Sequence, residues 1–225
     1  MAHASQQPIG RLPARITLPA QPRAANPRPL GFNFTHHVRL VCQDMVERLA
    51  ELRHIDFSRV AVGFCQARKA VPHGLQAALT PMRFEEGRQV TIRNGRQYRV
   101  QQLVDERGNE FLYLLTFYLP RFLNLPFREK LVTILHELWH ISPRFDGDLR
   151  RHEGRCYIHT RSEREYNAAM GKLADQWLAQ NPPDDLYRFL DLSFAALCAH
   201  HGRVYGARIP APKLIPLTNA ASRRH

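Results

Sequence analysis

The chain has 225 residues, 44% of them hydrophobic and 23% charged, with a formal net charge of +12. That length supports one sizeable core rather than two, and the balance of apolar and charged residues excludes a wholly disordered chain. No run nears the roughly 18 apolar residues of a membrane span, and the first thirty residues carry six prolines in place of an apolar secretory stretch, so a cytoplasmic protein with no membrane partner is expected.

Cys42, Cys65, Cys156 and Cys198 form no CxxC pair, which argues against a zinc ribbon or a dense disulfide framework and for reduced thiols. Arginine outnumbers lysine 28 to 4, and five arginines precede the first acidic residue, Asp44. A basic surface of this kind steers a protein toward nucleic acid. The arginines are scattered, however, and a merely solvated basic surface is the favoured reading of the charge.

In chain order, residues 1–30 are rich in Pro, Ala, Gln and Arg and lack periodicity, which predicts a flexible basic arm with the domain beginning near Gly31. From Thr35 to Leu52 the apolar residues Val38, Leu40, Val41, Met45, Val46, Leu49 and Leu52 recur at helical spacing. Strands are expected over Arg59–Phe64, less strongly over Leu75–Phe84, and over Val90–Arg93 and Arg96–Val104 on either side of Asn94-Gly95, a pair suited to a tight hairpin turn. The aromatic and aliphatic run from Phe111 to Leu119 predicts a strand packed on both faces. It could also accept an extended substrate along an edge, although simple packing is the favoured reading.

Pro126 suits the first turn of a helix that buries Leu131, Ile134, Leu135, Leu138 and Ile141 and is stopped by Pro143. Helices are also expected near Glu163–Gln180 and Asp184–His200, separated by Asn181-Pro182-Pro183, and the segment from Val204 on reads as an extended strap or a second tail.

The chemistry sits in the helix after Pro126, which contains His136-Glu137-Leu138-Trp139-His140, an HExxH pattern. Residues four apart stack on one helix face, so both imidazoles can reach one ion at about 2.0–2.1 Å. Glu137 then stands where it can take a proton from water activated there. The two histidines lie off the stripe of Leu131, Ile134, Leu135, Leu138 and Ile141, whereas histidines buried for packing would more often share it.

A catalytic zinc needs a third protein ligand. His159 is favoured, because Arg155–Thr160 alternates like an extended segment, over His152, which lies among Arg150, Arg151 and Glu153. Asp146 has the third-ligand spacing of metzincins, but Ser142-Pro143 stands where those enzymes turn on a glycine; Glu163 or Glu165 would supply a carboxylate as in gluzincins, and Cys156 is a remote alternative. Around this set, Asp148 could orient a ligand imidazole, against the preferred reading of Asp146-Gly147-Asp148 as a polar turn on a positive-φ glycine. Arg150 and Arg151 could hold a substrate carboxylate, although a surface role is the favoured reading, and Tyr157 or Tyr166 could steady an oxyanion, with buried packing explaining either equally well. The pairs His36-His37 and His200-His201 point apart on a helix and are not expected to chelate.

Lys130–Pro143, with Phe145–Arg151 and Gly154-Arg155 beyond it, resembles the bacterial and phage metallopeptidases of the zincin clan. The likeness runs from about Phe32 to His201 and is strongest from Tyr118 to His159. The order of helix, small sheet and HExxH helix is more loosely similar to SprT-like and minigluzincin domains. The resemblance implies a zincin fold, one bound zinc and hydrolysis of a peptide bond in a protein or peptide substrate.

The expectation is therefore an α+β, zincin-like domain over 31–203. It has an N-terminal helix, a small mostly antiparallel sheet, the HExxH active-site helix and C-terminal helices, and it lies between the arm at 1–30 and an extended segment at 204–225. Two alternatives stand beside the peptidase: a non-catalytic, metal-stabilised module on nucleic acid or an assembly, and a protease recruited to DNA-bound protein.

Overall fold

The computed structural model describes residues 13–19, 31–66, 74–151 and 163–217, with the side chains of the last stretch described from Tyr166 on. It is a mixed α+β protein. The expected arm contributes to it: β1 (Arg15–Thr17) lies midway along it, ahead of β2 (Phe32–Asn33) and α1 (Phe34–Arg48). α1 begins where the Asn33 side chain accepts the His36 N–H, and it buries Phe34, Val38, Val41, Cys42, Met45 and Val46 along one face. Next come β3 (Val60–Gln66), β4 (Ala77–Pro81), the hairpin β5 (Val90–Arg93) and β6 (Arg96–Val100), β7 (Gln102–Val104), β8 (Glu110–Phe111) and β9 (Tyr113–Leu119). The hairpin turns as its sequence predicts, with φ of 49° at Asn94 and 72° at Gly95.

The helical half comprises α2 (Phe127–Trp139), α3 (Glu163–Ala179), α4 (Asp184–Tyr187) and α5 (Phe194–His201), followed by β10 (Val204–Tyr205) and β11 (Leu214–Pro216). One helix was expected over 184–200, but a 3-10 turn and an extended Leu192 interrupt it. The break has a tertiary cause: the buried Lys130 of α2 donates from Nζ to the carbonyls of Leu190 (2.6 Å) and Leu192 (2.9 Å). Those carbonyls are thereby satisfied off the helix path, and Ser193 caps a new start at α5.

The sheets are mixed rather than mostly antiparallel. At the centre lies the order β3-β9-β4, with β3 parallel and β4 antiparallel to β9; β1-β7 and β2-β10 are parallel pairs, while β5-β6, β6-β11 and β7-β8 are antiparallel. β9 is thus the middle strand, closed on both sides and almost wholly buried. It offers no edge, so the packing reading of this run holds.

The outer edge of β3 is covered by the C-terminal strap, where the Ala207 carbonyl accepts the Phe64 N–H at 2.9 Å and Ile209 packs on Gly63. β4 is the remaining edge, and it faces α2. α2 buries Leu131, Ile134, Leu135 and Leu138 in the main core, with α1, the central sheet and Met170, Leu173, Ala174 and Trp177 of α3 around them. Among the described residues no helix is long and apolar enough to cross a membrane.

The two histidine pairs that the sequence separates meet near Phe32. The His37 ring stacks on Phe32 at 4.4 Å, and His201 approaches the same ring at 5.2 Å. Burial first, then the charges of His36 and His201, hold the His37 pKa below its ordinary 6.5. An imidazolium that forms more readily in the unfolded chain makes the fold less stable as pH falls below 6.5. The free energy of urea unfolding should therefore drop between pH 7.5 and pH 5.5, and drop less in a His37→Phe variant.

Candidate metal centre and active site

The HExxH segment closes α2, His136–Trp139 forming its last turn and His140 its C-cap, with Leu138 turned into the core and His136, Glu137 and His140 facing a cavity. The cavity has a volume of about 930 Å³ and runs between α2 and the Leu75–Leu79 stretch of the edge strand, with Leu149, Arg150 and Asn167 also lining it. The two imidazole rings stand 4.7 Å apart, centroid to centroid, at 75° to one another. Two imidazoles at this spacing are within reach of one ion held at about 2.0–2.1 Å, and their donor chemistry is that of a divalent-metal site.

Tyr166 of α3 packs against both rings, 4.7 Å from His136 and 6.2 Å from His140. Its hydroxyl donates to the His136 backbone carbonyl at 3.3 Å, and it is not among the residues lining the cavity. This tyrosine holds the imidazoles from the side, so the oxyanion role weighed for it has no support here.

Glu137 is fixed differently. Its Oε2 accepts the backbone N–H of Leu79 at 2.8 Å, a bond from the edge strand to the motif helix. Burial pushes its carboxyl up to about 7, while the Leu79 N–H pulls the other way. Such a carboxyl is suited to exchanging protons near neutral pH.

The loop after His140 is pinned to the sheet. The Tyr113 hydroxyl of β9 donates to the Asp148 carbonyl (2.9 Å) and accepts the Gly147 N–H (3.0 Å), and Gly147 has a φ of 86° where a Cβ would strike Arg83. The turn reading of Asp146-Gly147-Asp148 fits this geometry. The Asp148 carboxylate accepts from Arg151 (2.8 Å) and from the Glu86 N–H (3.0 Å), and the candidate third-ligand histidines it could orient lie outside the described residues. Arg151 is spent on Asp148 and Glu85, and Asp146 accepts the Asp148 N–H and pairs with Arg144, outside the lining of the cavity.

His159, the favoured third ligand, lies outside the described residues, as do His152, Cys156, Tyr157 and the side chains of Glu163 and Glu165. Among the described residues no group of three His, Cys, Asp or Glu side chains comes together as a metal site; two donors of the set are described. The Leu79 N–H, Tyr166 as a brace, and Asn167 carry no residue-type signal at sequence level. Arg150 did carry one, but only as one of two adjacent arginines.

No protein-family model matches the chain, and no curated protein and no solved structure matches it.

Tyr113→Phe tests the loop anchor. It leaves the buried Gly147 N–H without its acceptor, so the free energy of unfolding should fall by about 1–3 kcal/mol in chemical denaturation, with the secondary structure unchanged by circular dichroism.

Proposed function

We propose that the protein is a zinc-dependent peptidase with a zincin-type site in which His136 and His140 hold the ion and Glu137 is the general base. One observation carries this reading: the carboxyl group of the HExxH motif is enclosed beside two adjacent imidazoles and tethered to an edge strand along an open cavity. His159 remains the proposed third ligand on the sequence argument above.

A zinc ion held there supplies a Lewis acid and lowers the pKa of water toward about 7. Glu137 takes a proton from the attacking water as its oxygen bonds to the amide carbon, then delivers it to the nitrogen as the C–N bond breaks, which balances the hydrolysis. The Leu79 N–H keeps the carboxylate from swinging away between the two transfers. Among the described residues β4 pairs with β9 alone, and an extended segment of protein or peptide substrate would add to its other edge, beyond the Leu79 N–H that Glu137 holds, through main-chain hydrogen bonds. The cytoplasmic assignment rests on the sequence alone.

Purified protein should contain close to one zinc per chain by elemental analysis. Glu137→Gln should keep the zinc and lose at least a hundredfold in peptide hydrolysis, whereas His136→Ala should lose the metal. A Glu137→Gln chain that cleaves as fast as wild type would overturn the assignment.

A second reading, a module that sits on nucleic acid with or without catalysis, is favoured by the hairpin. Arg93 and Arg96 oppose each other across β5 and β6, both exposed, and neither has a carboxylate partner among the described residues. If the hairpin neutralises phosphates, duplex DNA affinity falls steeply with salt, and an Arg93→Gln/Arg96→Gln double variant flattens the logarithmic slope by about 2.

A further inference from the structure

Arg150 is the cavity group whose surroundings are explained least by packing. Its backbone N–H donates to the His140 carbonyl at 2.7 Å, and the preceding Leu149 bridges Ile141, so the segment is fastened to the end of α2. Its Nε donates to the Trp139 carbonyl at 2.7 Å, and the guanidinium lies 4.2 Å over the Trp139 ring. The plane and one edge of the fork are thereby fixed, and the two terminal nitrogens remain for another acceptor.

No carboxylate among the described residues pairs with it. The contrast with its neighbours is direct: Arg151 is held by Asp148 and Glu85, and Arg128, at the other end of the cavity, is held by Asp175. Burial lowers the Arg150 pKa, the mark of a cation stripped of part of its water. A half-desolvated cation with a fixed planar fork is complementary to a carboxylate, which it can hold through two parallel hydrogen bonds.

We infer that Arg150 is a specificity residue that binds a carboxylate of the substrate on the His140 side of the cavity, so that the protein selects peptides carrying negative charge there. The inference rests on the peptide-substrate reading above and adds the substrate class. The carboxylate has two sources, an Asp or Glu side chain or a free chain terminus.

The test reads binding rather than turnover. Full-length protein carrying Glu137→Gln, which keeps probe peptides intact, is titrated at low salt while Trp139 fluorescence is followed; the other tryptophan, Trp177, is fully buried in the core. Three probes share one sequence: a neutral peptide blocked at both ends, a series with one Glu moved along it, and the neutral peptide with a free C-terminus.

With Arg150 present, one of the charged probes should bind about ten- to a hundredfold tighter than the neutral one. The Glu series identifies a side chain, the free acid a terminus. Arg150→Gln should remove that preference while leaving affinity for the neutral probe and the zinc content in place, and Arg150→Lys should restore part of it. Equal binding of all probes, binding of none, a preference that survives Arg150→Gln, or a uniform loss for every probe in that variant would each overturn the inference, the last by making Arg150 only a brace for Trp139. Absence of zinc and of cleavage in wild type is read separately and bears on the peptidase reading, not on this preference.

Discussion

One hydrogen bond, from the Leu79 N–H to Glu137, ties the motif helix to the edge strand at the site. An edge strand has backbone donors that pair with nothing, and a carboxylate losing its water inside a cavity needs a donor; each satisfies the other. The bond fixes where the motif helix stands relative to β4, and with it the width of the cavity between them. It also gives the enclosed carboxylate a donor in place of the water it loses.

Most of the remaining fold serves to keep that pairing in register. β9 lies at the centre of its sheet, so β4 is held by antiparallel bonds on one side and meets α2 on the other. The C-terminal strap closes the opposite edge at Phe64, which leaves β4 as the outer strand of that sheet among the described residues. Behind α2, Lys130 reaches across to the carbonyls of Leu190 and Leu192. Burial lowers its pKa to about 8, so near neutral pH it is still largely an ammonium with several donors for those two acceptors. Tyr166 then occupies the side of both imidazoles, so the histidine rings are oriented by packing as well as by helix geometry.

What could be read from the sequence was what depends on local periodicity. The motif helix, its buried stripe, the Asn94-Gly95 turn and the positive φ at Gly147 follow from spacing and from residue chemistry, and the structure has them with ends shifted by a few residues. What depends on distant pairing was not readable. Nothing in Phe111–Leu119 says that it is a middle strand, nothing in Arg15–Thr17 says that it will meet Gln102–Val104, and the break after Asp191 is imposed by a lysine 60 residues away. At the site, side-chain donors were visible because residue types announce them. The Leu79 N–H was invisible because every residue but proline has one.

The adjacent arginines at 150 and 151 make the same point at the smallest scale. Leu149 bridges Ile141, so the chain here is extended, and consecutive side chains of an extended chain leave on opposite sides. Composition treats the two residues as equivalent, yet one is turned to Asp148 and Glu85 and becomes part of the loop's own scaffold. The other is turned to Trp139 and the cavity. A period of two has divided a pair of like charges into a structural cation and one with no carboxylate partner among the described residues, and the register that decides which is which is set by Tyr113, through its grip on Gly147 and Asp148. The charge presented beside His140 is therefore a consequence of where the central strand places one hydroxyl group.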